Sequence, residues 1–331
     1  MPTEAGNVIE VIKPGLATSV QDKGRNGYYY VGIPPSGSLD QFSACAANLL
    51  VGNDEDDAVL ECTLLGPELR FHGDALVAVT GADMLPKVDG VPQPGNEAFT
   101  IKAGQVLSFG FIKRGARGYI AVAGGIDVPV VLGSRSTYAL GAFGGYQGRN
   151  LQKGDQLPVG KVRRAAKAGR SLPEAMRAPL NKEVELRVLP GLYYHRLTDE
   201  SAAAFFEDIW NVAPEADRIG YRYRGGRAQK FREREQPFGA GADPSNIVDA
   251  GYPIGSIQVP GGLEPIILHR DAVSGGGYAT IGAVISADMD LIGQMQPNCH
   301  ARFVLVTMEQ ALAARHDAAR RFEALRAALR D

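Results

Sequence analysis

Short runs of alternating apolar and polar residues, broken by Gly, Pro or Asp, dominate the first half of the chain. The run 8–13 reads Val-Ile-Glu-Val-Ile-Lys before Pro14-Gly15 turns it, and similar runs recur at 61–65, 68–71, 75–80, 98–101, 106–111 and 118–123. Strands this closely spaced, without helices between them, predict antiparallel β structure, sandwich or barrel, rather than a parallel Rossmann sheet. One helical period interrupts them over 38–51. Ser38-Leu39-Asp40-Gln41 fits a capping box with Ser38 as N-cap and Gln41 reaching back, ahead of Phe42, Cys45, Ala46, Leu49 and Leu50 on one face.

The second half restarts as a strand at 184–189. A helix is predicted over 198–210, with Thr198 as cap and Asp199 and Glu200 in its first turn. Strands return at 255–259, 265–269 and 281–285. The end is an amphipathic helix over 308–330, preceded by the capping pattern Thr307-Met308-Glu309-Gln310, with Leu312, Phe322, Leu325 and Leu329 along one face. A short echo joins the halves: Pro14-Gly15-Leu16 then Arg25-Asn26-Gly27-Tyr28, against Pro190-Gly191-Leu192 then Arg218-Ile219-Gly220-Tyr221.

At 331 residues the chain exceeds the usual size of a single core, so two modules are expected. The boundary falls at 161–182, a basic, alanine-rich stretch with Pro173 and Pro179. The expected organisation is a first β module over 1–160 containing helix 38–51, a linker over 161–182, a second β module over 183–306, and the helix 307–331.

A net charge of −2 with 22% charged residues gives no basic surface for nucleic acid, so small molecules and proteins are the expected partners. Cys45, Cys62 and Cys299 form no CxxC pair and read as reduced core thiols. The polar start over 1–6 is no secretory leader, and no apolar run approaches the ~20 residues of a membrane span, so a cytoplasmic location is expected.

The chain lacks a GxxxxGK[ST] phosphate loop, HExxH, GxSxG and a Met-Lys-Met biotin segment. ATP or biotin chemistry would therefore borrow parts from other chains. His72, His195, His269, His300 and His316 are scattered and never spaced i, i+4, so no metal is expected. Asp22 and Arg25 lie in a glycine-punctuated loop where the arginine fork suits a carboxylate or urea-like group; the alternative is an ion pair that ties the loop down. Ser36 and Asp40 stand at a helix start, where an anion or simple capping would use them. Arg135, Ser136 and Arg149 lie in a glycine-dense segment that suits an anion pocket or structural salt bridges. Asp249, Gln258, Asp271, Ser274 and Tyr278 cluster near turns of the second half, where Gly275-Gly276-Gly277 permits close backbone approach or forms a plain turn.

Several ordered motifs carry a resemblance. Val20-Gln21-Asp22-Lys23-Gly24-Arg25, Ser36-Gly37-Ser38-Leu39-Asp40, Ala47-Asn48-Leu49-Leu50-Val51-Gly52-Asn53, Leu132-Gly133-Ser134-Arg135-Ser136-Thr137 and Gly144-Gly145-Tyr146-Gln147-Gly148-Arg149 occupy the first half. Asp217-Arg218-Ile219-Gly220-Tyr221-Arg222, Ile257-Gln258-Val259-Pro260, Gly276-Gly277-Tyr278 and Ile285-Ser286-Ala287-Asp288 continue in the second. From about residue 8 to about 306 the chain resembles the biotin-dependent carboxyltransferase, or allophanate hydrolase subunit 2, family. Its Ile-Gln-Val-Pro and Gly-Gly-Tyr motifs are similar to those of the C-type subunits of 5-oxoprolinases.

That resemblance implies a mainly β fold of two cyclophilin-like β-barrel modules and a site shared with a B-type, allophanate hydrolase subunit 1-like partner. A lactam-hydrolysing A-type chain is a further candidate partner. ATP would be bound with the partner, and no biotin would be attached to this chain. The implied catalytic residues are Asp22, Arg25 and Asp249; Ser36, Asp40, Arg135, Ser136, Arg149, Gln258, Asp271, Ser274 and Tyr278 would bind substrate. The implied activity is ATP-dependent opening of 5-oxoproline to glutamate. The alternatives are carboxyl transfer to a urea- or guanidine-type nitrogen and regulatory binding of a kinase-inhibitor-like B-type partner. Two departures bear on substrate: Ala250 follows Asp249 where urea carboxylase relatives have tyrosine, and Ser274-Gly275 stands where the 5-oxoprolinase pattern has a threonine pair.

Overall fold

The alternation in the first half builds two antiparallel sheets that share one core. The computed structural model describes residues 7–329. The polar start over 1–6 and Arg330, the expected end of the last helix, lie outside the described residues. One sheet has the strand order Gln156–Pro158, Val8–Lys13, Glu68–Phe71, Val106–Phe109, Pro86–Val88, Val91–Pro92; the other runs Ala17–Gln21, Val59–Thr63, Arg114–Val122, Ala75–Asp83, Ala98–Ile101. Ile9, Val11, Leu69, Phe71 and Leu107 of the first meet Leu60, Val79 and Ile120 of the second in one buried cluster. The opposite face of the second sheet is also covered, which explains why strand Arg114–Val122 is buried at every position after its first.

The cover is helix α1, Gln41–Leu50. Its residues from Phe42 to Leu50 are all buried, Ser43 and Asn48 included, so the helix is enclosed rather than amphipathic. The predicted N-cap is displaced by two residues. Asp40, not Ser38, caps the helix: its Oδ1 accepts from Ser43 N at 2.9 Å, while Gln41 Nε2 donates to Ser38 O at 2.6 Å. The Ser38 N–H that a capping box would give to the Gln41 side chain donates instead to Asp22 O at 2.9 Å, and a carboxylate at the helix N-terminus gains from the dipole.

The second half closes into a barrel of seven strands, in the order Glu183–Pro190, Thr280–Val284, Ser256–Gln258, Ile266–Leu268, Gly220–Arg224, Trp210–Val212, His300–Leu305. Closure departs from the antiparallel rule. Glu183–Pro190 and His300–Leu305 pair in parallel, from Glu183 opposite His300 to Val188 opposite Leu305. Helix α2, Asp199–Glu207, is shorter than predicted. Thr198 caps it by accepting from Ser201 N at 3.2 Å, but Trp210 belongs to a barrel strand: its ring is buried beside Phe205 and Phe303, and its Nε1 donates to Phe205 O at 3.1 Å. Core packing outweighs continued helical propensity there. A two-stranded hairpin, Asn246–Gly251 with Gly275–Tyr278, pairs outside the barrel.

After α3, Met289–Gln294, and the last barrel strand comes α4, Met308–Leu329. The capping box holds: Thr307 N donates to Gln310 Oε1 at 2.9 Å and Gln310 N to Thr307 Oγ1 at 3.3 Å. Leu312, predicted on the buried face, is 47% exposed; Ala311 and Ala314 pack instead with Ile285. Further along, Leu325 and Leu329 pack with α1 residues such as Leu49, and the Phe322 ring meets Phe42 edge-on at 5.2 Å. The stripe is therefore 311, 314, 322, 325, 329, a helical period in register with alanine rather than leucine at its start.

Compactness divides the chain into Met1–Asn26, Ser36–Leu180 and Arg321–Asp331 as one unit, and Gly27–Pro35 with Asn181–Arg320 as the other. No break in composition marks either exchanged segment. The stretch 161–182 is laid mostly along the first unit: Arg163 pairs with Asp54 and Asp57, Arg164 with Asp54, and Leu172 is buried. The internal echo has a structural counterpart. A Cβ on Gly15 would meet Leu65 O at 2.4 Å, and one on Gly191 would meet Thr280 O at 2.6 Å, so both Pro-Gly turns press backbone against backbone within their own unit. No helix among the described residues is long and apolar enough to cross a membrane.

Candidate functional site

In the first unit the Asp22 loop is fastened to the turn at 134–136. The Asp22 carboxylate accepts from Gly24 N at 2.7 Å, from Ser134 Oγ at 2.6 Å, and from Arg135 N and Ser136 Oγ. Its own N–H donates to Ser136 Oγ at 2.9 Å. Arg25 turns inward and is only 1% exposed; Nη2 donates to Ser136 O and the guanidinium lies 4.9 Å from the Phe143 ring centroid. Gly144 makes this possible. With φ of 69°, a Cβ there would sit 2.1 Å from Ser136 O and 2.7 Å from Arg25 Nη2.

Asp40 and the start of α1 rest on a second buried network. Glu61 Oε2 accepts from Leu39 N at 2.8 Å and from Tyr119 Oη at 2.9 Å, and Arg117 faces Glu61 at 3.6 Å with both side chains buried. Asp40 N donates to Tyr119 Oη at 2.8 Å. Burial and the adjacent Glu61 push the Tyr119 phenol well above its usual pKa, so it stays a neutral hydrogen-bond bridge. Ser36 is fully buried with φ of 53°. Arg135 uses Nε on Val128 O at 2.9 Å and Nη2 on Asp127 at 3.2 Å. Arg149 stands apart, gripping Asp155 through two bonds of 2.8 Å, which hold that carboxyl below its usual pKa.

The second unit gathers its candidates around a residue that sequence reasoning missed. Tyr252 is buried; its Oη donates to Tyr278 O at 2.8 Å and accepts from Tyr278 N at 2.7 Å, while its N–H donates to Ser274 O at 2.8 Å. Burial raises the Tyr252 pKa and nearby Asp249 adds to it, against the hydrogen bonds of Tyr278 and Gln258. Tyr252 thus holds the hairpin at two points, Tyr278 through its phenol and Ser274 through its backbone, with Asp249 and Gln258 close enough to shift its pKa. Asp249 itself is exposed, as is Tyr278 at 43%. Asp271 is not part of this group: buried, it accepts from Arg218 Nε at 2.8 Å and Nη2 at 3.2 Å.

The signal for Tyr252 is a lone aromatic between Gly251 and Pro253, directly after the acidic strand. Glu61 and Tyr119 leave no such signal, because each sits in an ordinary strand pattern. The three cysteines are free and buried, and burial pushes the Cys45 and Cys62 thiols up to about 12, which removes them as nucleophiles. His269 is buried with Nδ1 accepting from Arg270 N at 2.9 Å. Among the described residues no three His, Cys, Asp or Glu side chains gather as a metal set. A hollow of about 500 Å³ lined by Glu185, Ile209 and His300 carries none of the candidate groups.

These features define a class: a two-unit β protein in which a closed barrel carries an outlying glycine hairpin with solvent-facing polar groups. The chain belongs to the carboxyltransferase family described by its subdomains A and B, which residues 31–305 match. It is 36% identical to the C-type subunit of 5-oxoprolinase from Escherichia coli (strain K12), over 96% of this chain and 97% of that one. It is 35% identical to urea amidolyase of Saccharomyces cerevisiae, over 92% of this chain but 17% of that polypeptide. The crystal structure of Kluyveromyces lactis urea carboxylase superposes with a TM-score of 0.90 at 34% identity, covering 98% of this chain and 30% of that one.

Proposed function

We propose that the chain is a subunit of an ATP-dependent, 5-oxoprolinase-like complex that opens 5-oxoproline to glutamate, together with a B-type partner and a lactam-hydrolysing A-type partner in the cytoplasm. The observation that carries this reading is the 36% identity to the C-type subunit of 5-oxoprolinase along 96% of this chain. ATP would activate the lactam carbonyl in such a reaction. The three candidate arginines of the first unit do not fit the task of offsetting phosphoryl charge, since Arg25 is buried on Ser136 O, Arg135 is held by Val128 O and Asp127, and Arg149 by Asp155. No phosphoryl step is therefore assigned to these three arginines, and in this reading ATP would be bound together with the partner; biotin likewise has no attachment segment here.

What this chain contributes is a place for the ring. The exposed Asp249 carboxylate suits the lactam N–H, an acceptor for a donor, and its charge orients the substrate's own carboxylate away. Glycines at 275–277 let a flat ring approach the hairpin backbone, and Tyr278 offers an aromatic edge. Tyr252 fixes both strands. Asp22 and Arg25 act as frame. Mixing the chain with its B- and A-type partners, ATP and 5-oxoproline should release glutamate, with release depending on all three chains; absence of turnover in the assembled complex would overturn the reading.

A second reading rests on the superposition with urea carboxylase. There the chain would accept a carboxyl group from a biotinylated carrier and pass it to a urea-like nitrogen. Phosphate release that requires bicarbonate and a biotinylated carrier, with no glutamate formed, selects it.

A further inference from the structure

Most arginines of the second unit have a carboxylate. Arg187 pairs with Asp288, Arg218 with Asp271, Arg222 and Arg224 with Glu264, Arg227 with Asp208 and Arg232 with Asp199. Arg196 and Arg234, like Arg302 and Arg315, are joined to no acid by an ion pair among the described residues, but these two also carry buried N–H groups that no acceptor meets. Arg196 closes the short turn Tyr194–Arg196, its guanidinium 4.3 Å over the Tyr193 ring, and its Nη1 is buried without a hydrogen-bond partner. Arg234 donates from Nη2 to Gln236 Oε1 at 2.7 Å and to Asn246 O at 3.3 Å, while its Nε is also buried and unpartnered.

Backbone pairing brings the two together: Arg232 N donates to Arg196 O at 2.7 Å and Leu197 bridges Phe231 in antiparallel fashion, so Arg196 and Arg234, two positions from Arg232, stand on the same face of adjacent segments. Burial lowers the pKa of Arg196, and Arg234 lowers it further, with Tyr193 opposing. Asp199, the nearest acid in sequence to Arg196, is engaged by Arg232. Two neighbouring guanidinium groups, each with a buried N–H that no acceptor meets, are unfavourable unless an acceptor joins them. A monocarboxylate would leave one positive charge. A phosphate group carries about −1.5 to −2 charge and three acceptor oxygens, enough for both forks.

We infer that Arg196 and Arg234 form a binding site for a phosphate group, with the Tyr193 ring as one wall. The site does not depend on which reaction the complex performs. The probe is inorganic phosphate, titrated into the full chain against chloride at matched ionic strength, with affinity read by calorimetry and by the shift in Tm. A saturable Tm rise is expected in the unaltered protein. Arg196→Met and Arg234→Met should each weaken phosphate binding about tenfold or more, and Arg196→Lys, which keeps charge but loses the fork, should fall between.

A second readout separates binding from structure. In phosphate-free buffer Arg196→Met should raise Tm, because it removes a cation that repels Arg234 and fills the same space over Tyr193. A lowered Tm there, an unsaturable response in the unaltered protein, or equal phosphate affinity in the methionine variants would overturn the site. Competition by ATP would assign the phosphate group to a nucleotide; binding of phosphate without such competition would assign it to the free ion.

Discussion

The loop carrying Asp22 and the hairpin carrying Asp249 are both polar and glycine-punctuated, yet the fold uses them in opposite ways. At Asp22 every carboxylate oxygen is occupied by the loop itself or by the 134–136 turn. At Asp249 the side chain is exposed, and the hairpin is fastened instead by the Tyr252 phenol at Tyr278. The same residue types therefore make a frame in one unit and a presenting edge in the other. What distinguishes them is whether local donors satisfy the acid.

Substitutions sharpen this contrast, beginning where the largest loss is expected. Glu61→Ala strands buried Arg117 and the amide of Leu39 and should cost about 3–5 kcal/mol by urea unfolding, the range for breaking a buried pair. Asp22→Ala, which orphans several donors in a half-buried loop, should cost about 3 kcal/mol, with the 134–136 turn losing protection from hydrogen exchange first. A loss below about 1 kcal/mol would mean that the mesh is not a frame. Gly144→Ala should destabilise by at least about 2 kcal/mol, because backbone strain adds to the clash with Ser136 O. Gly133→Ala, also at positive φ but with open space around its Cβ, should cost only about 1 kcal/mol.

A smaller effect concerns acid. Arg326 and Lys23 bind Glu55, and the hydrogen bond from Arg326 leads in lowering the Glu55 pKa from 4.5 to about 2. A depressed carboxyl contributes stability that is full above its unfolded value and is lost as pH falls toward the folded one. Stability should therefore decline between pH 4.5 and about 2, and Arg326→Ala should flatten that decline. An unchanged slope would remove Glu55 from the account of how α4 is held.

Much of the fold is legible in sequence, and the failures share a cause. Strand spacing, the cap at Thr198 and the Thr307 and Gln310 box depend on neighbours a few residues away, and those the chain displays. Asp40 as cap, Trp210 as strand and Ala311 rather than Leu312 on the packed stripe depend on partners far along the chain: Asp22 O holding Ser38, Phe303 receiving Trp210, Ile285 receiving Ala311. Sequence sets Asp22 with Arg25 in one loop and Arg135, Ser136 and Arg149 in another segment; the fold joins Asp22 and Arg25 to the 135–136 turn and leaves Arg149 on Asp155, and only coordinates separate a carboxylate that holds a turn from one that faces a ligand. Tyr252 needs the hairpin register to be seen at all.

The contrast is tested most directly by Asp249→Asn in the reconstituted complex with 5-oxoproline and ATP. Because Asp249 is exposed, its unfolding free energy should stay within about 0.5 kcal/mol of the parent protein, while kcat/KM for glutamate release falls about tenfold or more. Full activity with the asparagine in place would contradict the assignment of the hairpin as the edge that meets substrate.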